Sequence, residues 1–394
     1  MYPYYLYSDM PKLFEHKVWA EIDTNVLAEN YKILCSRVPD VRHICVVKSD
    51  AYGHISDVCV KTLMDAGCNF FAVACIEEAL KLRAVCGSGA DILILGYTAP
   101  SQADSLAEND IIQTIISEDY ARALSSSAGE KHCCVRVHVA LDTGMNRVGL
   151  SATNDILCDR AADLIRQLNG DANILLEGVF THFAEADGEY SVAVAENSKT
   201  RIQFERFERI RKSLKKELPE LFFHACNSAA ALRFPEYKLD GVRFGISLYG
   251  VCPSGYFERI TRPVMSLYTV ISHIHTLESG EGVGYGGKYV RDIKRTIATL
   301  PIGYADGFLR AYKGFCVTVR TESGDFQAPV VGNICMDQCM IDITDIPARV
   351  GDKIVIFGED PEDLTKLAAL ADTIEYEVLC LISARVPRIL KNNK

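Results

Sequence analysis

At 394 residues the chain is long for one domain, and its composition, 48% hydrophobic and 24% charged, is that of an ordinary soluble globular protein. The formal net charge of −10 argues against nucleic acid or an anionic membrane as the partner, and no apolar run reaches transmembrane length. We expect a cytoplasmic protein with reduced thiols, because Met1–Tyr7 lacks the basic start of a secretory signal and the fifteen cysteines have no zinc-type spacing.

From residue 20 to about 262, short β-branched runs alternate with longer amphipathic stretches. The strand candidates are Ile44–Lys48, Phe70–Cys75, Ile92–Gly96, Ile111–Ser117, Val135–Asp142, Leu176–His182, Phe222–Asn227 and Val242–Tyr249. Helix-like segments between them include Thr24–Arg37, Ile76–Cys86, Asn154–Leu168 and Asn197–Lys216. This alternation predicts a (β/α)8 TIM barrel over residues 18–262, with a doubly wound open sheet as the alternative.

After Pro263 the pattern changes to short strands separated by Gly and Asp turns, which predicts an all-β domain over residues 263–394. Its strand candidates are Val264–Thr276, Thr296–Pro301, Phe315–Arg320, Ala328–Ile334, Met340–Ile343 and Lys353–Phe357. Leu364–Asp372 is a predicted helix. Within residues 1–22, Val18–Ile22 is a candidate strand of the same sheet.

Lys48 ends the first apolar run and is followed by Ser49–His54. A lysine that ends a buried parallel strand is poorly hydrated, and desolvation lowers the pKa of its amine, which then serves as a nucleophile or base. Such a lysine suits Schiff-base chemistry with an aldehyde cofactor. The structural alternative is a strand-end lysine whose amine extends to solvent.

Other polar residues follow the predicted strands at the same end, where barrel enzymes place their active sites. They lie at Tyr52 and within Asp142–Arg147, Thr181–Phe183, Ala225–Ser228 and Arg243–Ile246. Singly, His182 is consistent with a hydrogen-bonded core histidine, Arg147 with a surface cation, and Asn227–Ser228 with a helix cap. Their shared position at strand ends favours one active site over three separate structural roles.

These segments resemble the alanine racemases in order and approximate spacing, from about residue 18 to the C-terminus. The matching motifs are Val46–His54, Leu141–Arg147, Cys226–Ser228, Val242–Arg243, Val283–Gly286, Pro301–Gly307, Ile334–Gln338 and Arg385–Arg388. The resemblance implies an N-terminal (β/α)8 barrel with a C-terminal β domain, pyridoxal 5′-phosphate (PLP) as the cofactor, and a head-to-tail homodimer with composite active sites.

The resemblance also implies two catalytic residues. Lys48 would be the Schiff-base lysine and the base on the D-face, and Tyr285 would be the second base, donated across the dimer interface to the L-face. His182 and Arg243 match the residues that link this tyrosine to the pyridine nitrogen. An arginine there has no proton to give to the ring, which suits a racemase better than an aminotransferase.

The remaining site residues are also implied by the resemblance. Tyr52, Asn227, Ser228, Gly245 and Ile246 match cofactor-binding positions, most of them at the phosphate, which a helix N-terminus after the eighth strand would favour. Arg147 and the amide of Met336 match groups that hold the substrate carboxylate, and Tyr304 matches a tyrosine of the substrate access route from the partner subunit. For Met336 and Tyr304 the structural alternative is packing within the β domain. No metal is expected.

Three positions depart from the family pattern. Ala140 stands where many members have a carbamylated lysine that steadies the substrate arginine, and Phe244 replaces a proline in the loop under the cofactor. Ala384 stands where we expect a tyrosine whose hydroxyl touches the phosphate and whose ring walls the substrate side chain. A missing ring would leave room for a hydroxymethyl group, as in the related serine racemases of vancomycin resistance.

The leading hypothesis is therefore a PLP-dependent isomerase that interconverts L- and D-alanine for peptidoglycan, with a serine or dual serine/alanine racemase as the alternative. A decarboxylase of the same architecture would lack the set Tyr285, His182 and Arg243, and would place a carboxylate against the ring nitrogen. A PLP-carrier protein would need only the barrel, and the β domain that holds Tyr285 and Met336 counts against it.

Overall fold

The structure, a computed structural model, describes residues 5–6, 16–189, 192, 195, 197–252 and 259–391. Most of the N-terminal segment Met1–Tyr7, in which no secretory signal was expected, lies outside the described residues. Within the described ranges, no helix combines the length and the apolar character needed to cross a membrane. Nor do three or more His, Cys, Asp or Glu side chains of these ranges gather where they could hold a metal ion.

Eight parallel strands form a closed barrel, which confirms the predicted (β/α)8 fold and excludes the open sheet. The strands are Arg42–Val46, Phe70–Val73, Asp91–Ile94, Ile111–Ile115, Val135–Asp142, Ile174–Phe180, Phe222–His224 and Gly241–Phe244. Each pairs with its neighbours in chain order, and the eighth pairs with the first through Val242 opposite His43. Most residues of the eight strands are buried and most of the buried ones are apolar, as a barrel covered by helices requires.

Several predicted strands extended too far at their C-terminal ends. The first strand ends at Val46 rather than Lys48, and the eighth ends at Phe244, after which Ile246–Tyr249 forms a short 3-10 helix. The hydrophobic run continues beyond Phe244 because Ile246–Tyr249 is itself buried. Periodicity therefore could not separate the strand from the site loop beyond it.

The helices that surround the barrel are Thr24–Arg37, Ser56–Asp65, Ile76–Cys86, Ala103–Glu108, Glu118–Glu130, Asp155–Asn169, Lys199–Leu214 and Ser228–Arg233. Five of them begin after a side chain that accepts a hydrogen bond from the first turn, which is a strong local start signal. These capping residues are Asp23, Ser117, Asn154, Ser198 and Asn227. Short 3-10 helices occupy Pro100–Gln102 and Pro235–Tyr237, and a two-residue strand, Leu150–Ser151, comes after the fifth barrel strand.

A second, ten-stranded sheet lies mostly in the C-terminal part of the chain. Its strands are Tyr5–Leu6, Val18–Ile22, Met265–Val270, His273–Leu277, Arg295–Leu300, Cys316–Thr321, Gly324–Val331, Cys339–Asp342, Lys353–Phe357 and Arg388–Leu390. Val18–Ile22 pairs with both Met265–Val270 and Arg388–Leu390, so this N-terminal strand belongs to the β sheet rather than to the barrel. The domain limits 18–262 and 263–394 stay predictions.

Two α-helices and two 3-10 helices complete the C-terminal part. They are Asp363–Leu370, Glu375–Leu381, Tyr304–Asp306 and Arg310–Tyr312. The helix Glu375–Leu381 was not predicted, and it carries Cys380. All fifteen cysteines are described, none forms a disulfide, and three of them, Cys134, Cys316 and Cys380, are exposed rather than in the core.

Candidate active site

A cavity of about 440 Å³ opens at the C-terminal ends of the barrel strands. Nine of the twelve predicted site residues line it. They are Lys48, Tyr52, Arg147, His182, Asn227, Ser228, Arg243, Gly245 and Ile246. The barrel part of the candidate site is therefore assembled within one chain.

Lys48 begins a turn with an unusual backbone. Ser49, Asp50, Ala51 and Tyr52 all have φ between 53° and 56°, which makes this a left-handed turn built without glycine. Such a conformation costs roughly 1–2 kcal/mol per residue, so other groups must hold it. The imidazole Nδ1 of His54 donates to the carbonyls of Ala51 and Tyr52 at 3.0 Å each.

The β domain supports the same turn from outside. The Nε of Arg388 donates to the Gly53 carbonyl at 3.2 Å, and a Cβ added at Gly53 would lie 2.9 Å from the Leu379 carbonyl of the helix Glu375–Leu381. The left-handed turn is thus enclosed between the barrel and this helix. Its curvature directs both Lys48 and Tyr52 to the cavity.

Burial lowers the pKa of the Lys48 amine, and the positive charge of Arg147 lowers it further. Glu78 and Cys380 act in the opposite direction but do not reverse the shift. A larger fraction of the amine is therefore neutral near pH 7 than for an exposed lysine. This is the state that attacks a carbonyl carbon or accepts a proton.

Hydrogen-bond donors meet around Gly245. A Cβ added at Gly245 would lie 2.8 Å from the Tyr52 hydroxyl, so only glycine leaves this space open. The Tyr52 hydroxyl has no hydrogen-bond partner within the described part of the chain, although the residue is buried. Ser228 Oγ is 2.9 Å from the Gly245 amide. Two hydroxyls and the adjacent amides form a cradle that fits a phosphate group.

Asn227 has two roles in this arrangement. Its side-chain oxygen accepts a hydrogen bond of 2.9 Å from the Ala230 amide and caps the helix Ser228–Arg233, as the structural alternative expected. The residue also lines the cavity. The cap fixes the helix start, and with it the position of Ser228.

Arg243 is buried and lines the cavity, and the groups of the described residues to which its guanidinium donates are all neutral. Nη1 donates to His224 Nδ1 at 2.7 Å, and Nη2 donates to His182 Nδ1 at 3.2 Å and to the carbonyls of Thr181 and Ala225. No carboxylate pairs with it among the described residues. Burial lowers the pKa of Arg243 to about 10, and the guanidinium stays protonated at neutral pH.

The contact with Arg243 fixes the protonation of His182. Burial and the charge of Arg243 lower the pKa of His182 to about 3, so its ring is neutral at pH 7. Because an arginine donates and cannot accept, Nδ1 of His182 is the acceptor and its single proton is on Nε2. His182 therefore presents a donor on the side of its ring away from Arg243.

Sequence reasoning missed two histidines that continue this network into the barrel. His224 accepts from Arg243 at Nδ1, so its own proton is on Nε2, which lies 3.0 Å from His138 Nδ1. Both rings are buried, and burial lowers the pKa of His138 to about 3. Each of these histidines interrupts an otherwise largely apolar strand. This was the one feature of the sequence that could have indicated that they have a polar partner in the barrel. His224 thus holds Nη1 of Arg243, while His182 contacts Nη2.

Arg147 is exposed at the cavity and forms no ion pair with any described residue. Its loop is ordered by Asp142, whose carboxylate accepts from the amides of Gly144 and Asn146 at 3.0 and 2.9 Å. Ala140 also lines the cavity, so the position of the expected lysine holds only a methyl group. The guanidinium is free to take a carboxylate from solution.

The other three predicted site residues, Tyr285, Tyr304 and Met336, do not line this cavity. They are 74%, 41% and 55% exposed. Their loops lie together, since the amides of Tyr304 and Ala305 donate to the carbonyls of Cys335 and Met336, and Asn333 Nδ2 donates to the Tyr285 carbonyl at 2.9 Å. Residues that enter the cavity of a second chain must lie on an exposed surface, as these three do. That they act in the cavity of a partner subunit stays a prediction.

The interpretation of Ala384 was wrong. Ala384 is exposed and does not line the cavity, so the absence of a tyrosine there does not widen it. Tyr376, on the helix that the sequence analysis missed, lines the cavity instead, with its ring centroid 6.0 Å from that of Tyr52. The spacing of Val378, Leu379 and Ile382 is helical and could have indicated this element.

Two family models match the chain. Residues 22–253 match the alanine racemase N-terminal domain, and residues 264–390 match the alanine racemase C-terminal domain. The chain is 40% identical to alanine racemase 1 of Clostridium acetobutylicum and 39% identical to the alanine racemase of Clostridium novyi, each match covering 97% of both chains.

Solved structures give the same result. The alanine racemase of Clostridium difficile 630 has a TM-score of 0.86 and 37% identity, with 97% of both chains covered. A structure of the alanine racemase from Bacillus anthracis with bound L-Ala-P has a TM-score of 0.84 and 33% identity, covering 98% of this chain and 97% of that one.

Proposed function

The chain belongs to the alanine racemase family of isomerases, and we propose that it interconverts L- and D-alanine by a PLP-dependent, two-base mechanism. The observation that carries this proposal is the cavity in which a lysine of lowered pKa and a donor cradle lie together with Arg147 and Arg243, neither of which pairs with a carboxylate of the described residues. The biological role proposed with it is the supply of D-alanine for peptidoglycan in the cytoplasm.

The residues of the cavity fit PLP. Tyr52, Ser228 and the Ile246 amide would hold the phosphate in the space that Gly245 leaves open, since the Gly245 amide already donates to Ser228 Oγ. The Tyr52 hydroxyl, which has no partner among the described residues, is a donor that such a group would satisfy. Lys48 Nζ would bind the cofactor covalently, and Arg243 would lie against its ring nitrogen. When bound, the cofactor supplies a conjugated system that withdraws electrons from the substrate Cα.

Racemisation needs a proton acceptor on one face of Cα and a donor on the other. Lys48 Nζ would exchange the proton on the D-face, since its lowered pKa leaves part of the amine unprotonated. Tyr285 of the partner subunit would act on the L-face. A free tyrosine has a pKa of about 10 and is too weak a base near pH 7. The Nε2 proton of His182, oriented by Arg243, would stabilise its phenolate.

Arg243 supports racemisation over transamination. It has no proton to deliver to a ring nitrogen, and the neutral His182 and His224 beside it deliver none through it. Without a proton on the ring nitrogen, less of the negative charge at Cα would be withdrawn into the ring of the cofactor. The charge would stay mostly at Cα, and the proton would return there. A decarboxylase or aminotransferase would be expected to place a carboxylate at this position.

Arg147 would bind the carboxylate of the substrate, since it lines the cavity and lacks an ion-pair partner among the described residues. Alanine is the proposed substrate because Tyr376 supplies an aromatic wall. The alternative, a preference for serine, loses its structural argument with the correction of Ala384. The proposed assembly is a homodimer in which each cavity receives Tyr285, Tyr304 and Met336 from the other chain.

The purified protein should show the visible absorption band of lysine-bound PLP, and the band should be lost on reduction with borohydride. L-Alanine should yield D-alanine in an assay coupled to D-amino-acid oxidase. Lys48→Ala should abolish both the band and racemisation in either direction. Covalent PLP on another lysine of that variant would refute the assignment. Carbon dioxide release would indicate a decarboxylase, and a bound band without turnover would indicate a carrier.

A further inference from the structure

Tyr285 lies at the tip of a long loop that joins the strands His273–Leu277 and Arg295–Leu300. The loop is rich in glycine around the tyrosine, with φ of 62° at Gly284 and 75° at Gly286. Glycine adds conformations that must be lost when the loop is ordered. A catalytic side chain on such a loop needs an additional group to fix it, because a displacement of about 1 Å costs up to about 10²-fold in rate.

Arg295 contacts both arms of this loop. It is the first residue of the strand after the loop, it is only 2% exposed, and its guanidinium lies under the loop. Nη1 donates to the Tyr289 carbonyl and Nη2 donates to the Glu281 carbonyl, both at 2.6 Å. These carbonyls are four residues before and four residues after Tyr285. One planar guanidinium therefore ties together the two arms of the loop.

Tyr289, on the second arm of the loop, makes two further contacts that hold this arm in place. The guanidinium carbon of Arg295 lies 5.3 Å from the centre of the Tyr289 ring, and the Tyr289 hydroxyl donates to Asp342 Oδ2 at 2.9 Å. Arg295 forms no salt bridge with a described residue, although a buried cation is usually paired. Its two terminal nitrogens donate instead to the backbone of this loop, in the fixed fork that only arginine offers.

We propose that Arg295 is a positioning residue for Tyr285, and that it acts on the cavity of the partner subunit rather than on that of its own chain. This inference rests on the proposed function, in which Tyr285 is the second base and is donated across the dimer. Loss of the guanidinium would loosen the loop and lower kcat, with a smaller effect on KM, because Arg147 and Lys48 remain in place.

Hybrid dimers separate this role from a general structural one. A dimer of a Lys48→Ala chain and a Tyr285→Phe chain has one intact site, built from Lys48 of the second chain and Tyr285 of the first. Arg295→Met is then placed either in the first chain, which supplies the Tyr285 in use, or in the second chain, which supplies the Lys48 in use. Two different affinity tags isolate the hybrids.

We expect the first arrangement to lower kcat by about 10- to 100-fold and the second to leave it unchanged. Arg295→Lys, which keeps a donor but not the fork, should give a smaller loss in the first arrangement alone. Arg83 is a matched control, since it also donates to backbone carbonyls but on barrel loops. Any loss caused by Arg83→Met should appear in the second arrangement, where that chain supplies the working barrel, and not in the first.

An equal loss in both arrangements, or no loss in either, would overturn the role of Arg295 and leave the shared site intact. A misfolded Arg295→Met chain would be visible in the second arrangement, where that chain supplies the whole cavity. An inactive parent hybrid, after verified subunit exchange, would overturn the shared site itself. The failure of the inference and the failure of the proposed function are thus distinguished.

Discussion

Replacing Tyr52 with Phe removes one hydroxyl from the cavity and changes nothing else in its shape. The hydroxyl has no partner among the described residues and lies against the space that Gly245 leaves open. If it donates to the phosphate of PLP, its loss removes a hydrogen bond to a charged group, which is worth about 1.5–3 kcal/mol. The Kd for PLP should then rise by about 10- to 150-fold.

The assay is a PLP titration of the apoprotein, monitored by the visible band, together with thermal unfolding of the apoprotein. Tyr52→Phe should weaken PLP binding and leave the apoprotein as stable as before. Tyr249→Phe is the matched control, because the Tyr249 hydroxyl donates to the Val46 carbonyl at 3.1 Å. That variant should lose about 1 kcal/mol of stability and keep its PLP affinity. Unchanged PLP binding in Tyr52→Phe would refute the phosphate cradle.

Ala384→Tyr should leave the ratio of kcat/KM for serine over alanine unchanged, whereas Tyr376→Ala should raise it by about 10-fold, because only Tyr376 lines the cavity. The opposite pattern would restore Ala384 as a specificity determinant. Burial holds the pKa of His54 at about 4 and those of His138 and His182 at about 3 in the folded chain. Below pH 6.5 these three histidines are protonated in the unfolded chain but stay neutral in the folded chain. The free energy of unfolding should therefore decrease as the pH is lowered, by up to about 4 kcal/mol per pH unit. Denaturant unfolding of the apoprotein at pH 7 and pH 5 measures this, and a stability independent of pH over this interval would contradict it.

The sequence predicted the barrel and the residues on its strand ends because parallel strands bury continuous apolar runs and place the loops after them at one edge. Lys48, His182 and Arg243 were found for this reason. The left-handed turn after Lys48 was not predictable, since Ser49–Tyr52 contains no glycine and its conformation is imposed by His54 and the β domain.

Contacts between distant segments account for the other differences. Tyr376 reaches the cavity because its helix packs against the turn at Gly53, and adjacency to the motif Arg385–Arg388 wrongly favoured Ala384 instead. His138 was indistinguishable from a core residue until its contact with His224 was known. Residues that act through a neighbour leave little trace in a single sequence.

The most direct test of the two-base assignment monitors the α-proton of alanine by NMR in deuterated water. In Tyr285→Phe, Lys48 should still exchange the α-proton of D-alanine for deuterium with retention of configuration, while L-alanine keeps its proton and racemisation falls by about 10³-fold. Equal exchange of both enantiomers by that variant, or racemisation at the unmodified rate, would contradict the assignment of Lys48 and Tyr285 to opposite faces.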